Sequence, residues 1–307
     1  MKRLSFLFAV VIMSLLIMAC SQKKETKNVD IEKKAPVAAK DPAVGKTLKV
    51  AIGGMITPKE GLAFYRDFIM YVEKKLGQQI EIVDKENYAE INNMLESGEL
   101  NFAFVCSGPY VDGHDKFGLQ LLAAPEVNGK TTYNSLIIAN SKSPLKGFKE
   151  LRGKSFAFTD PLSNTGALVP TYMLAKMNET PKSFFKELVY SKKHDKSIKM
   201  VSENLIDGAA VDSLIWEYMN RKTPEITSKT RIIEKSPPYG IPPIVVSKSI
   251  DPDTVKKLSE IFINAHLDPQ GKEFLKGMMV DKFVVVNDND YDSVREMLAW
   301  TKKHQGK

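Results

Sequence analysis

Cysteine is almost missing from this chain, with Cys20 and Cys106 alone among 307 residues. If Cys20 is committed elsewhere, as argued below, no intramolecular disulfide is available whatever the redox compartment. Histidine is nearly as scarce. His114, His194, His266 and His304 lie far apart and without Cys/His spacing, so neither a metal nor a cofactor is expected. Excess charge on the body is also lacking. Of the formal +7, Lys2 and Arg3 supply +2, and residues 21–46 supply +3 through seven lysines set against Glu25, Asp30, Glu32 and Asp41. The remaining +2 is spread from Thr47 onward, which excludes the basic face that a nucleic-acid binder needs. Long apolar runs are confined to Leu4–Met18, too short to span a bilayer comfortably.

That run follows Lys2-Arg3 and ends in Leu16-Ile17-Met18-Ala19-Cys20, with Ser21-Gln22-Lys23-Lys24 after it. Residues 1–19 therefore read as a cleaved export signal. A small residue directly before the cysteine resembles the lipobox of bacterial lipoproteins. The resemblance implies diacylation of Cys20 by chains such as palmitate, and anchoring to a membrane on its extracytoplasmic side. Each buried methylene would contribute roughly 0.8 kcal/mol to that anchor. Residues 20–46 are rich in Lys, Ala, Pro and Glu and poor in large apolar side chains. Such a segment cannot offset its ordering entropy and is expected to be a flexible stalk.

From Thr47 short apolar runs alternate with amphipathic stretches. Leu48–Ile52, Ile80–Val83 and Phe102–Val105 read as strands, with helices over 58–76 and 88–100 between them. This order argues a parallel sheet with right-handed crossovers. Cys106 follows the third strand and reads as a small buried hydrophobe rather than a reactive thiol. A second series comprises strands at 155–158, 188–190, 208–211 and 231–234, with helices at 165–177, 195–202 and 214–221. Tyr133–Ala139 reads as a strand crossing between the series and Ile244–Val246 as the return, after which helices at 253–265, 269–278 and 291–303 pack on the first lobe. The expected division is 47–138 with 245–307 as lobe 1 and 139–244 as lobe 2, around a hinged cleft.

The richest chemistry lies in Phe156-Ala157-Phe158-Thr159-Asp160-Pro161-Leu162-Ser163-Asn164-Thr165-Gly166-Ala167. A buried strand enters a polar turn and a helix opens at or just after Ser163. Helix N-termini leave N–H groups without intrahelical partners and favour anions. Ser163 and Thr165 add hydroxyls, Asn164 an amide, and Gly166 permits close approach. The alternative is that Ser163 simply caps the helix; residue types alone leave both readings open.

The stretch 151–166, with Pro170 and Leu174, resembles the signature of phosphate/phosphite/phosphonate-binding subunits of ABC importers. Gly108-Pro109-Tyr110, Tyr133-Asn134-Ser135, His194-Asp195, Asp207–Ser213 and Ser236–Pro243 match in the same order. The resemblance implies an α/β, two-lobed type II periplasmic-binding-protein fold, monomeric, with two crossover strands forming the hinge. It further implies that Ser163, Asn164 and Thr165 hold phosphoryl oxygens, that Tyr110 reaches in from the first lobe, and that His194 contacts the anion. Asp212 falls where aminoalkylphosphonate binders carry carboxylates for an ammonium group. Here it lacks a second carboxylate in 236–243, so it either receives a protonated ligand oxygen or caps the next helix. Ile56, in the loop Met55-Ile56-Thr57, is the expected first-lobe neighbour of the ligand. An ABC permease with its ATPase would be the partner; a sensory lipoprotein reporting to a membrane receptor is the other reading. A hydrolase is disfavoured because no Gly-x-Ser-x-Gly elbow surrounds Ser163.

Cys20→Ala is expected to move the protein from the membrane fraction to the soluble extracytoplasmic fraction and to abolish metabolic labelling by palmitate; membrane retention would refute acylation.

Overall fold

The computed structural model describes residues 47–53, 59–85 and 87–304. The export signal, Cys20, the stalk and Ile56 lie outside the described residues. Thirteen strands are present among them: β1 (Leu48–Ile52), β2 (Ile80–Val83), β3 (Phe102–Phe104), β4 (Gln120–Glu126), β5 (Thr132–Tyr133), β6 (Ser135–Asn140), β7 (Ser155–Phe158), β8 (Glu187–Tyr190), β9 (Gly208–Asp212), β10 (Thr230–Lys235), β11 (Tyr239–Gly240), β12 (Ile244–Val246) and β13 (Lys282–Val284). The helices are α1 (Lys59–Leu76), α2 (Tyr88–Ser97), α3 (Ser107–Phe117), α4 (Val169–Lys176), α5 (Pro181–Phe184) and α6 (His194–Ser202). They continue with α7 (Ser213–Lys222), α8 (Pro224–Thr227), α9 (Pro252–Asn264), α10 (Pro269–Met278) and α11 (Asp292–His304).

Two separate sheets organise these elements. One has the order β13-β4-β12-β3-β1-β2 and the other β10-β6-β9-β7-β8. Strands β1, β2 and β3 are parallel, as are β7, β8 and β9. The central strands β3 and β9 are buried throughout, as parallel strands under crossover helices must be, while β1 exposes Lys49 and the edge strands β2 and β8 expose Glu81 and Glu187. Each lobe fills its core with aromatic rings. Phe262 of α9 meets Phe68 at 5.2 Å, Phe283 at 5.1 Å and Phe104 at 6.0 Å between centroids. In the other lobe Phe156 and Phe185 stack at 4.4 Å.

The crossing between lobes differs in detail from the strand expected over Tyr133–Ala139. Pairing breaks at Asn134: β5 joins β11 in a two-stranded ribbon, while β6 enters the five-stranded sheet. Ser135–Ile138 pair with Asp212–Ala209, so these residues lie in the second sheet. The return passes through Tyr239–Gly240, and β12 already belongs to the first sheet. Helix α3 and strand β4 follow Cys106 where no element was expected, because the Gly-Pro of α3's first turn reads as a loop.

Helices α9 and α10 pack on the first lobe with α1, whereas α11 touches both lobes. Its Arg295 binds Asp115 of α3 at 3.1 Å. Its Trp300 lies edge-on to Tyr172 of α4, 5.1 Å away, beneath the ammonium of Lys176 at 4.3 Å.

Phe262→Ala should destabilise the protein by about 3–5 kcal/mol in urea unfolding, because the surrounding rings cannot collapse into the space. Met70→Ala, on the solvent side of α1 at 65% exposure, should stay within about 0.5 kcal/mol of wild type.

Candidate functional site

Strands β7 and β9 run side by side and end at the same edge of their sheet. Beyond that edge start three helical segments: the π-helical turn Asn164–Leu168 that continues into α4, then α6, then α7. The crevice outside the carboxyl ends of parallel strands is where open α/β sheets bind ligands.

The π turn is wide because the Ser163 carbonyl accepts from both Ala167 N–H (3.2 Å) and Leu168 N–H (2.9 Å). Ser163 caps it, its Oγ accepting from Gly166 N–H at 3.0 Å. That bond uses a lone pair and leaves the hydroxyl proton free to donate. Gly166 is obligatory: a Cβ there would lie 1.9 Å from Thr159 Oγ1. The turn is pinned from below by Ser135 Oγ, which donates to the Thr165 carbonyl at 2.6 Å. Asn164 Nδ2 donates to Tyr133 OH at 3.2 Å.

His194 opens α6 and is fully buried. Its Nδ1 lies 3.0 Å from the backbone N–H of Asp212. An N–H can only donate, so Nδ1 is the bare nitrogen and the neutral ring carries its proton on Nε2. Burial pushes the ring's pKa down to about 3, so His194 is a neutral donor at physiological pH. Asp212 caps α7 through Oδ1, which accepts from Leu214 N–H at 2.7 Å. Burial raises its pKa to about 7, against the lowering effect of the Leu214 and Ile215 N–H groups. Near neutrality this carboxyl both donates and accepts.

Thr159 Oγ1, Asn164 Oδ1, Thr165 Oγ1, His194 Nε2 and Asp212 Oδ2 are all buried without a hydrogen-bond partner among the described residues. Each unsatisfied buried polar group costs about 1–3 kcal/mol, and native folds carry few of them. From the other lobe, the phenols of Tyr65, Tyr88 and Tyr133 feel Asp212 electrostatically, and burial is the larger cause that raises each of them. Cys106 lies between the lobes, its Sγ 3.4 Å from Tyr133 OH. The five groups are two hydroxyls, one amide oxygen, one imidazole N–H and one protonatable carboxyl, so neutral donors outnumber fixed charges and there is no cation among them.

The family described as ABC transporter, phosphonate, periplasmic substrate-binding protein matches residues 54–291. The chain belongs to this family. Among related phosphonate-family proteins, the phosphonates-binding periplasmic protein of Escherichia coli is 27% identical over 244 residues, covering 78% of this chain and 72% of that one. The phosphate-import protein PhnD of Mycolicibacterium smegmatis is 26% identical over 258 residues, covering 76% and 79%. PhnD1 of Prochlorococcus marinus, solved in complex with methylphosphonate, superposes with a TM-score of 0.76 at 19% identity, covering 84% of this chain and 99% of that one. A binding-protein component of an ABC phosphonate transporter from Pseudomonas aeruginosa gives a TM-score of 0.79 at 21% identity, with 84% and 87% covered. The fold is thus the two-lobed type II fold of periplasmic binding proteins.

Of the residues expected to form the site, Ser163, Asn164, Thr165, His194 and Asp212 come together. Tyr110 does not join them. Because Ser107-Gly108-Pro109-Tyr110 is the first turn of α3, its phenol instead donates to Asp288 Oδ1 at 2.7 Å and packs on Tyr291 at 4.6 Å. Arg295 Nη2 holds the same Asp288 oxygen at 2.8 Å. Thr159, Tyr65, Tyr88 and Tyr133 were not among the expected site residues. Thr159 and Tyr133 did stand in segments singled out in the sequence, whereas Tyr65 and Tyr88 are brought within electrostatic reach of Asp212 by tertiary structure alone.

His194 and Asp212 should leave opposite marks on stability against pH. Between about pH 4 and 7 the folded state keeps an Asp212 proton that the unfolded chain has lost, so this group's contribution falls as pH rises. Between about pH 3 and 6.5 the unfolded chain holds a His194 proton that the folded state refuses, so that contribution rises. Relative to wild type, Asp212→Asn should gain stability with increasing pH, and His194→Asn should lose it, by up to about 1.4 kcal/mol per pH unit. Urea unfolding from pH 4.5 to 7 measures both slopes; parallel profiles would contradict the assignment.

Proposed function

We propose that this protein is the lipid-anchored, extracytoplasmic binding subunit of an ABC importer, and that it captures a small phosphoryl oxyanion such as methylphosphonate, phosphite or phosphate. The observation that carries this reading is the convergence of buried, unpartnered groups at one sheet edge: Thr159, Asn164, Thr165, His194 Nε2 and Asp212 Oδ2. Ser163 and Thr165 hydroxyls and His194 Nε2–H donate to phosphoryl oxygens. Asp212 Oδ2 either donates its own proton or accepts one from a monoprotonated ligand oxygen, so binding conserves one proton between them. Ligands able to share that proton are favoured over fully deprotonated, non-protonatable anions.

The side of the ligand away from phosphorus meets phenols and not a pair of carboxylates. Asp160, another buried acid nearby, already accepts from Leu162 N–H at 2.8 Å and Tyr88 N–H at 3.2 Å. With these two bonds directing it to the backbone, Asp160 is not arranged with Asp212 as a carboxylate pair for a ligand ammonium, which disfavours aminoalkyl substituents.

Capture proceeds by closure of the lobes, with the chain crossing between them at Asn134 and again between Lys235 and Tyr239. Ligand favours the closed state because it bridges donors of one lobe and phenols of the other. A permease and its ATPase are the partners of the loaded, closed monomer. Catalysis is not part of this reading. Asp212 meets His194 through its backbone N–H and not its carboxylate, and a histidine with a pKa of about 3 is no general base at neutral pH.

Calorimetry with methylphosphonate, phosphite, phosphate and 2-aminoethylphosphonate should show tight binding to at least one of the first three and at least tenfold weaker binding of the amino compound. Ser163→Ala with Thr165→Ala should weaken that binding by a factor of about 100 to 20,000, two lost hydrogen bonds to a charged group. No binding to any of the four would sink the oxyanion assignment.

A further inference from the structure

The loop that follows β7 carries one more charged group, Asp160, which the ligand cradle does not use. Its Oδ1 accepts from Leu162 N–H within the loop, closing a local turn. Its Oδ2 leaves the lobe altogether and accepts from the backbone N–H of Tyr88. Tyr88 is the first residue of α2, and Asn87 caps that helix by accepting from Glu90 N–H at 2.8 Å. The Tyr88 N–H is one of the donors a helix cannot satisfy itself, and it stands at the positive end of the macrodipole. The bond is buried, Asp160 being 3% exposed and Tyr88 2%.

The same loop meets the first lobe at a second point. A Cβ on Gly108 would lie 2.2 Å from the Leu162 carbonyl oxygen and 3.1 Å from the Asn164 nitrogen. The Asn164 N–H in turn points to the sulfur of Cys106, the N-cap of α3. Residues 160–164 therefore sit between the N-termini of α2 and α3. Only a glycine at position 108 allows that approach.

We infer that Asp160 is an interlobe latch: a carboxylate of the second lobe that docks on the N-terminus of α2 and stabilises the closed arrangement in addition to the ligand. This rests on the reading that the two lobes open and close around the site. The latch makes closure a property of the protein as well as of the ligand, since the carboxylate supplies a built-in anion to the first lobe. It also couples the two events. The residues that grip the ligand, Ser163 to Thr165, are on the loop that Asp160 seats, so seating the loop presents the cradle. Asp160 is a positioning residue: each of its oxygens accepts a backbone N–H, one in its own loop and one on α2.

Two variants separate the latch from the local turn. Asp160→Asn keeps one acceptor but turns an amide toward an N–H donor. Asp160→Ser retains a hydroxyl able to accept from Leu162 N–H, but is too short to reach Tyr88. The readout is maleimide labelling of Cys106, which is 0% exposed in the closed protein, in the exported chain carrying Cys20→Ala so that Cys106 is the single thiol. Without ligand, both variants should label about 10- to 100-fold faster than wild type, the effect of losing a charge-assisted bond from the closed state. Their thermal melting should remain cooperative, and affinity for methylphosphonate should fall by a similar factor. Equal labelling rates in wild type and both variants would overturn the latch, whether or not a phosphoryl ligand binds. Failure of wild type to bind any phosphoryl anion, with labelling still accelerated in the variants, would instead overturn the ligand reading and leave the latch standing.

Discussion

A polar group taken out of water must find a partner, and this fold leaves five such atoms unpaired at one edge of one sheet. That constraint organises the rest. Strands β7 and β9 bring Thr159 and Asp212 to the edge, the wide π turn aims Asn164 and Thr165 at the same place, and α6 contributes His194 as its first residue. Among the described residues no other protein group pairs with these atoms. The hydrogen bond from Asp212 N–H to His194 Nδ1 gives the arrangement its chemical sense, since it fixes the imidazole proton on Nε2. In the proposed complex a neutral imidazole, hydroxyls and a carboxyl whose pKa burial raises to about 7 would meet the phosphoryl group without a dedicated cation. Stabilisation comes from dipoles held in place by the fold, where neither bulk water nor a mobile lysine can screen or follow the ligand.

The lobes are joined by more than their crossover strands. The ribbon β5–β11 lies between the sheets, and Ser107 Oγ of α3 donates to Gly240 O at 2.6 Å within this junction. Helix α11 spans from Arg295, on α3 and Asp288, to Trp300 on α4. Because α4 continues from the turn that carries Ser163 to Thr165, the C-terminal helix touches the far end of the element that grips the anion. The chain passes between the two sheets at Asn134 and again between Lys235 and Ile244, and packed helices flank both passages.

Much of this was legible in the sequence, and for identifiable reasons. The two series of strands declared themselves as short apolar runs alternating with amphipathic stretches, whereas the helix expected over 88–100 overran its end, because Gly98 in the left-handed conformation stops α2 at Ser97. The polar turn after Phe158 was readable because Ser, Asn, Thr and Gly cluster there. Ser163 does cap the turn, as one of the two open readings had it, and capping uses a lone pair of Oγ, so the hydroxyl proton stays free for the ligand contact proposed above. Other features depended on tertiary placement. Gly108-Pro109 reads as a loop but opens α3, which sends Tyr110 to Asp288. Tyr65, Tyr88 and Tyr133 are separated along the chain, and nothing in their local pattern tells that they share a wall. The interlobe role of Asp160 needs the position of α2, which no periodicity supplies.

The central claim is that the unpartnered groups at the β7/β9 edge are the protein's half of a phosphoryl complex. A crystal structure with methylphosphonate bound tests it most directly. The account predicts phosphoryl oxygens within hydrogen-bond distance of Ser163 Oγ, Thr165 Oγ1, His194 Nε2 and Asp212 Oδ2, with Tyr110 still on Asp288. An anion bound elsewhere, or one held by lysine or arginine side chains with His194 Nε2 and Asp212 Oδ2 still unpartnered, would contradict it.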